Sequence, residues 1–252
     1  MNDKWGYIDT SGRFIIKPQY VWADSFSDGR ATVDDGDGQG YIDTTGKVAI
    51  EPRFKSARRF AEGLAPVALL DPKTANTDDP SWLWGYIGTT GAMVIEPQFE
   101  DANPFSDGRA AVMVNHRWGY IDTAGAFMVK PELDHAEDFS DGLAYVVQAD
   151  GYSGYIDTSG RLLITMKLGA EVQEARPFSE GRAVIGLLTT QPGEANVPPL
   201  LYGYMDKSGK IIIKPQFPLA EDFLYGLARV RLGATPKYSY IDASGRIVWT
   251  DK

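Results

Sequence analysis

Cysteine is absent from this 252-residue chain. That removes disulfides, thiolate nucleophiles and cysteine-based zinc sites together. Histidine is scarce: only His116 and His135 occur. No second histidine stands at ligand spacing from either, and no His-Glu-x-x-His is present, so no metal and no histidine-based catalysis is expected. No apolar run approaches the roughly 18 residues of a membrane span. Met1-Asn2-Asp3-Lys4-Trp5 opens without the apolar core of a signal peptide. As it stands the sequence is expected in the cytoplasm, or in the periplasm or outside the cell if a leader precedes it. Basic residues are outnumbered, with Lys+Arg 25 against Asp+Glu 34 and a net charge of −9. That balance argues against a surface tracking nucleic-acid phosphates and suits a basic or neutral protein partner.

What the chain has in excess is punctuation. Its 27 Gly and 15 Pro make up about 17% of the residues, where roughly 12% is usual. The glycines mark an internal repeat, the first thing to look for in such a sequence. Gly6–Gly12 reads Gly-Tyr-Ile-Asp-Thr-Ser-Gly, and close copies start at Gly40, Gly85, Gly119, Gly154, Gly203 and Ser239. The spacings are 34, 45, 34, 35, 49 and 36, a unit of about 34 residues with two insertions. A second anchor, Phe26-Ser27-Asp28-Gly29-Arg30-Ala31, returns at Phe60, Phe105, Phe139, Phe178 and Phe223. Between the anchors, Lys17-Pro18-Gln19-Tyr20 is echoed at residues 51–54, 96–99, 130–133 and 214–217. Six full repeats fall at about 5–38, 39–83, 84–117, 118–152, 153–201 and 202–237, with a half repeat at 238–250. They fill residues 1–252 as a single repeat domain.

Each unit has a physical reading. Trp5-Gly6-Tyr7-Ile8-Asp9 alternates like a short strand, A. Asp9-Thr10-Ser11-Gly12 has the chemistry of a tight hairpin, with Asp accepting from turn amides and Gly taking positive φ as a bulge. Strand B, Arg13–Lys17, is expected to stop at Pro18, which has no amide donor. Tyr20, Ala23 and Phe26, three apart, suggest a helical turn or compact loop that plugs the core. Ser27-Asp28-Gly29 turns the chain into strand C, Arg30–Val33. The expected class is all-β: tandem three-stranded antiparallel meanders in an open curved array, with a closed β-propeller-like ring as the alternative.

Lys4-Trp5-Gly6-Tyr7-Ile8-Asp9, Leu83-Trp84-Gly85-Tyr86-Ile87 and Arg117-Trp118-Gly119-Tyr120-Ile121-Asp122 carry a resemblance to the WG (KWG) repeat family of bacterial proteins. The resemblance spans essentially the whole chain, although Gln39, Ser153, Tyr202 and Tyr238 stand where the tryptophan would be. It implies a β-rich interaction module and brings no catalytic residues and no cofactor.

The repeated aspartates, Asp9, Asp43, Asp122, Asp157, Asp206 and Asp242, invite comparison with the carboxylate pair of a glycosidase. Catalysis needs carboxylates in differing environments. Six in one equivalent position, replaced by Gly88 in the third unit, read as turn formers. Asp34-Asp35-Gly36-Asp37-Gly38 lacks the glutamate that would complete a calcium loop and reads as a solvated hairpin. The anchor aromatics Trp5, Tyr7, Trp84, Tyr86, Trp118 and Tyr120 read as packing between units, with a sugar-stacking platform as the rival. Trp22, Trp82 and Trp249 fall outside the repeated position and are the better candidates for exposed rings.

One contrast points toward function. The A–B turns are uniform, whereas the C–A connections vary: Asp34–Gln39, Leu70–Ser81, Asn115–Arg117, Asp150–Ser153, Leu187–Leu200 and Gly233–Lys237. Individually shaped loops on one border are where repeat proteins bind, the alternative being insertions merely tolerated on the surface. The expectation is therefore a non-enzymatic module that binds another protein through this border. Trp82, Asp78, Asp79, Trp22, His116, Gln191, Glu194 and Asn196 are the candidate contacts. Neutralisation of a toxic effector, as by an immunity protein, is one version. A carbohydrate-binding or cell-envelope structural protein is the alternative.

Overall fold

The structure, a computed structural model, describes residues 4–167, 172–188, 200–233 and 237–251. Among these, 25 strands and no helix are present, so the class is all-β. The chain divides into two compact units, Met1–Pro131 and Glu132–Lys252.

In the first unit, β1 (Trp5–Ile8) and β2 (Phe14–Tyr20) form a two-stranded sheet. β3 (Trp22–Ala23), β4 (Arg30–Asp34), β5 (Gln39–Asp43) and β6 (Val48–Phe54) follow as a four-stranded antiparallel meander. β7 (Ser56–Ala57), β8 (Leu64–Leu70), β9 (Trp82–Gly88) and β10 (Met93–Phe99) repeat it, and β11 (Asp101–Ala102), β12 (Ala110–Val114) and β13 (Arg117–Ile121) begin it again. After β14 (Phe127–Ala136), the second unit runs through β15 (Leu143–Gln148), β16 (Tyr152–Asp157) and β17 (Leu162–Lys167). Its next meander is β18 (Val172–Ala175), β19 (Arg182–Leu188), β20 (Leu200–Asp206) and β21 (Ile211–Phe217). The last is β22 (Leu219–Ala220), β23 (Leu227–Arg231), β24 (Tyr238–Asp242) and β25 (Ile247–Thr250). The expected C–A–B meander is thus present, and the plug adds a short fourth strand beside C. No sheet closes on itself among the described residues.

Strand B does not stop at its proline. β2, β6, β10 and β21 run through Pro18, Pro52, Pro97 and Pro215. The reason lies in the register: Tyr41 pairs with Ile50 but Gln39 with Phe54, so two residues of strand A face four of strand B. Proline is tolerated there because B is an edge strand and the residue sits in the bulge, where no ladder amide is needed. The bulge faces the glycine of strand A. A Cβ on Gly40 would lie 2.6 Å from both the Ile50 carbonyl oxygen and the Pro52 nitrogen. The fifth repeat supplies the control: without proline, Tyr152–Tyr155 pair residue for residue with Lys167–Ile164.

The core lies between successive sheets. Tyr41, Tyr86, Tyr155 and Tyr204 are fully buried. Their hydroxyls donate to the carbonyls of Arg58, Asn103, Arg176 and Glu221 in the plug that follows, at 2.6 to 2.8 Å. Each ring meets, edge-on, the phenylalanine two residues past that carbonyl, Phe60, Phe105, Phe178 or Phe223, at 4.7 to 5.0 Å between centroids. Burial raises the phenols of Tyr41, Tyr155 and Tyr204 above their ordinary range. These four tyrosines are packing residues and leave no ring face for a sugar.

Both turn types recur along the chain. In the A–B turn, Asp9 Oδ1 accepts from the Ser11 amide at 2.8 Å, the Ser11 hydroxyl at 2.6 Å and the Arg13 amide at 3.0 Å. Asp43 and Asp242 do the same. Gly12 takes positive φ, 81°. In the second anchor, Asp28 and Gly29 both have positive φ and Ser27 and Arg30 exchange backbone bonds, a two-residue type I′ hairpin. These hairpins are tied to one another: Asp28 accepts from the Gly63 amide, Glu62 from Gly108, Asp141 from Gly181 and Glu180 from Gly226.

Gly88, which replaces the turn aspartate, has no positive φ, and a Cβ there would meet only Val94 at 3.4 Å. Gly88→Asp should therefore supply the missing acceptor to the turn amides and raise stability by about 0.5–1.5 kcal/mol. A thermal unfolding midpoint that stays put or falls would count against aspartate as the turn former.

Candidate functional site

The strand order assigns each loop to one end of its own sheet. The A–B turns and the type I′ hairpins share one end, and the C–A loops and the short B-to-plug joins share the other. In the first unit the loop end carries residues 35–38, 71–81 and 115–116, joined by the links at Val21, Lys55 and Glu100.

The three loops are built differently. In 35–38 the carboxylates bind their own loop: Asp34 accepts from the Gly36 amide at 2.8 Å and Asp35 from the Asp37 amide at 3.0 Å. Among the described residues no group of three or more His, Asp or Glu is placed to hold a metal ion. Asn115 and His116 form a tight turn with positive φ at both, their amides held by the Glu100 carboxylate at 2.9 Å. The His116 ring lies 3.1 Å from that carboxylate with its side chain 93% exposed. His135 stands on β14, 2.9 Å from Glu137.

The 71–81 loop is clamped at its base. Asp71 Oδ1 accepts from the Lys73 amide at 2.9 Å, and the Thr74 hydroxyl accepts from the Ser81 amide at 2.8 Å. The Asp71 amide closes the neck on the Ser81 carbonyl at 3.0 Å. Beyond the clamp Asp78, Asp79 and Pro80 are exposed. Trp82 opens β9 opposite Leu70, 38% exposed, with the Lys55 ammonium 5.6 Å over its ring. Asp78 and Asp79 therefore belong to one clamped excursion, with Trp82 at its foot on β9. Trp22 opens β3 opposite Asp34, at the same end of its own sheet. Gln191, Glu194 and Asn196 lie outside the described residues.

One aromatic reading needs correction. Trp5 was expected to pack between units, yet it is 54% exposed. Among the described residues its sheet has two strands, so β1 stands without the C strand that flanks the other A strands. Trp5 and Trp22 instead line a cleft of about 580 Å³ with Tyr7 and Asp24. Trp84 does pack, half-buried against the core with the Arg58 guanidinium 4.5 Å over its ring. In the second unit a larger cleft, about 770 Å³, lies under the last hairpin and includes Asp222, Leu224, Tyr225 and Tyr240. In the sequence, residues 223–228 count as one more copy of the anchor; the signal which that reading passed over is Leu224-Tyr225, where the other copies have Ser or Ala followed by Asp or Glu.

The turn carboxylates give the molecule an acid limit. The Ser244 hydroxyl and the turn amides hold the Asp242 carboxyl down at about 2. Asp9, Asp43, Asp157 and Asp206 are lowered for the same reason, first by a side-chain hydroxyl and then by backbone amides. A carboxyl lowered in the fold binds its proton more readily in the unfolded chain. Its contribution is therefore present above the unfolded value of 3.8 and is lost as pH falls toward 2. The urea midpoint should be level from pH 7 to pH 5 and decline below pH 4; a decline already complete at pH 5 would contradict this.

The WG-containing-repeat family matches the sequence over residues 5–37, 40–69, 84–116, 118–152, 154–186 and 202–234. The chain is a WG-repeat protein. The match includes repeats in which Gln39, Ser153 and Tyr202 replace the tryptophan, which fits a unit defined by its glycine, turn and plug. No curated protein sequence matches the chain. Among solved structures, a eukaryotic initiation factor is similar over 98% of this chain and 70% of its own, with a TM-score of 0.62 at 12% identity. BamB from Moraxella catarrhalis is similar over 90% of this chain and 72% of its own, with a TM-score of 0.49 at 13% identity. The WD40 β-propeller domain of Doa1 covers 91% of this chain and 92% of its own, at a TM-score of 0.39 and 10% identity. The structural neighbours are propeller-like proteins, and at such identities the likeness concerns the fold alone.

Proposed function

We propose that this WG-repeat protein is a non-enzymatic binding module that engages a protein partner through the loop end of its first unit. The supporting observation is the 71–81 excursion: its base is fixed by Asp71, Thr74 and Ser81, Asp78 and Asp79 stand exposed beyond it, and Trp82 stands exposed at its foot on β9. A clamped loop loses little conformational entropy on binding, and an exposed tryptophan is the side chain most able to anchor an interface. Two adjacent carboxylates, on a chain of net charge −9, favour a basic partner and speed its encounter. Neutralisation of a toxic effector is one form such binding takes.

The test is Trp82→Ser beside Asp78→Asn/Asp79→Asn, measured against a partner isolated by cross-linking in native extract. Loss of a central tryptophan should weaken binding by about 30-fold, an effect of roughly 2 kcal/mol. The acidic pair should slow association mainly at low salt. Unchanged affinity in Trp82→Ser, with its unfolding curve intact, overturns the proposal.

A second reading rests on the Trp5–Trp22 cleft, where two exposed indoles beside Asp24 suit a carbohydrate in a cell-envelope setting. Glycan addition would then shift tryptophan emission, and Trp22→Ala would abolish the shift while Trp82→Ser left it intact.

A further inference from the structure

Five tyrosines of strand A, Tyr7, Tyr41, Tyr86, Tyr155 and Tyr204, share one arrangement. Each hydroxyl donates to a plug carbonyl, that of Asp24, Arg58, Asn103, Arg176 or Glu221, at 2.6 to 2.8 Å. Each ring packs against the phenylalanine two residues further along, at 4.7 to 5.0 Å. The recognition element is therefore a carbonyl followed two residues later by an aromatic side chain.

Tyr240 holds the same position on β24, and neither half of that arrangement is met. Its hydroxyl has no hydrogen-bond partner among the described residues, and the residue is 37% exposed where Tyr41, Tyr86, Tyr155 and Tyr204 are at 0%. Its ring has one aromatic neighbour among the described residues, Trp249, at 5.8 Å. Before it lies the 770 Å³ cleft, a volume suited to a short peptide.

The last hairpin differs in the same direction. Ser27, Ser140 and Ser179 each donate to the next plug phenylalanine carbonyl, and Asp28, Glu62, Asp141 and Glu180 each accept from the next hairpin glycine. The equivalent residues here are Leu224 and Tyr225, 63% and 90% exposed, with Leu227 beside them at 38%. Asp222, exposed at the same cleft, makes no hydrogen bond among the described residues. Arg176 and Arg229, which also line it, are paired with Glu174 and Glu221, and Arg176 acts on Asp222 through charge without a hydrogen bond.

We infer that the cleft beside Tyr240 docks a peptide segment of a partner protein. A backbone carbonyl of that segment accepts from the Tyr240 hydroxyl, a phenylalanine two residues on packs against its ring, and a basic side chain faces Asp222. The interface is continuous in kind with the five plug interfaces inside the molecule. Leu224, Tyr225 and Leu227 supply the apolar wall that the Ser-Asp hairpins do not.

The probe is a synthetic peptide of a native plug. Phe-Lys-Ser-Ala-Arg-Arg-Phe (residues 54–60) is basic, and Phe-Glu-Asp-Ala-Asn-Pro-Phe (residues 99–105) is acidic. Titration calorimetry on the full chain should show saturable binding, stronger for the basic peptide. Tyr240→Phe should weaken both by about three- to tenfold, the effect of one hydrogen bond. Replacing the last phenylalanine of either peptide by alanine should abolish binding. Asp222→Asn should weaken only the basic one. Unfolding curves for both variants separate a lost site from a lost fold. Absence of saturable binding, indifference to Tyr240→Phe, or binding retained without the peptide phenylalanine each overturns the inference, the last by showing charge attraction alone.

Discussion

Phe105→Ala is expected to lower the unfolding free energy by about 3–5 kcal/mol, the range for truncating a buried aromatic ring. Phe105 is 2% exposed and packs with Tyr86, Phe99 and Ile121. Its ring lies 5.0 Å from that of Tyr86, whose hydroxyl is held by the carbonyl of Asn103 in the same plug. Truncation would open a cavity between two sheets that can collapse only by shifting the plug, and that shift would strain the Tyr86 hydrogen bond. Loss of the ring is therefore expected to exceed loss of the hydroxyl: Tyr86→Phe leaves the packing in place and should cost about 1–3 kcal/mol. Urea unfolding of the two variants would measure the order. A Phe105→Ala cost below that of Tyr86→Phe would show that the plug is not what joins the sheets.

Gly40→Ala should be the other large effect, about 2–3 kcal/mol for a single added methyl. The methyl would sit 2.6 Å from the Ile50 carbonyl oxygen and the Pro52 nitrogen, and 2.8 Å from Pro52 Cα. These are backbone atoms of a bulge locked by proline, so nothing flexible can give way, and the methyl can be accommodated only by breaking the A–B pairing. Gly88→Ala is the matched control, since its methyl would meet one Val94 methyl at 3.4 Å. A similar cost at both positions would mean that glycine is favoured in this strand for some reason other than the bulge. The proline is not the whole reason for the glycine: in the fifth repeat, which has no proline and pairs regularly over Tyr152–Tyr155, a Cβ on Gly154 would still clash with the Ile164 carbonyl oxygen.

Much of this could be read from residues alone. The period, the A–B hairpin with its aspartate and positive-φ glycine, and the order of strands C, A and B all follow from local chemistry that any seven-residue window carries. The proline was legible as a residue but not in its consequence. Its usual effect is to end a strand, and only the partner strand, with Gly6 or Gly40 opposite, shows that a bulge absorbs it. The same limit applied to Trp5, because its sequence is that of Trp84 and Trp118 and its exposure depends on a sheet having two strands.

The amino-acid sequence by itself determined that this is a succession of equivalent β units with uniform turns at one end and variable loops at the other. Turn chemistry and strand alternation act between residues close in the chain, and they need no partner to be read. The tertiary structure alone decided what each unit leans on. The hydroxyl of Tyr41 finds its carbonyl 17 residues away, and the carboxylate of Asp28 finds its amide 35 residues away. It also decided that Tyr240, in the equivalent position of its own anchor, finds no carbonyl among the described residues. Whether a tyrosine is core or docking surface depends on what stands across from it, and that is settled only when the sheets pack.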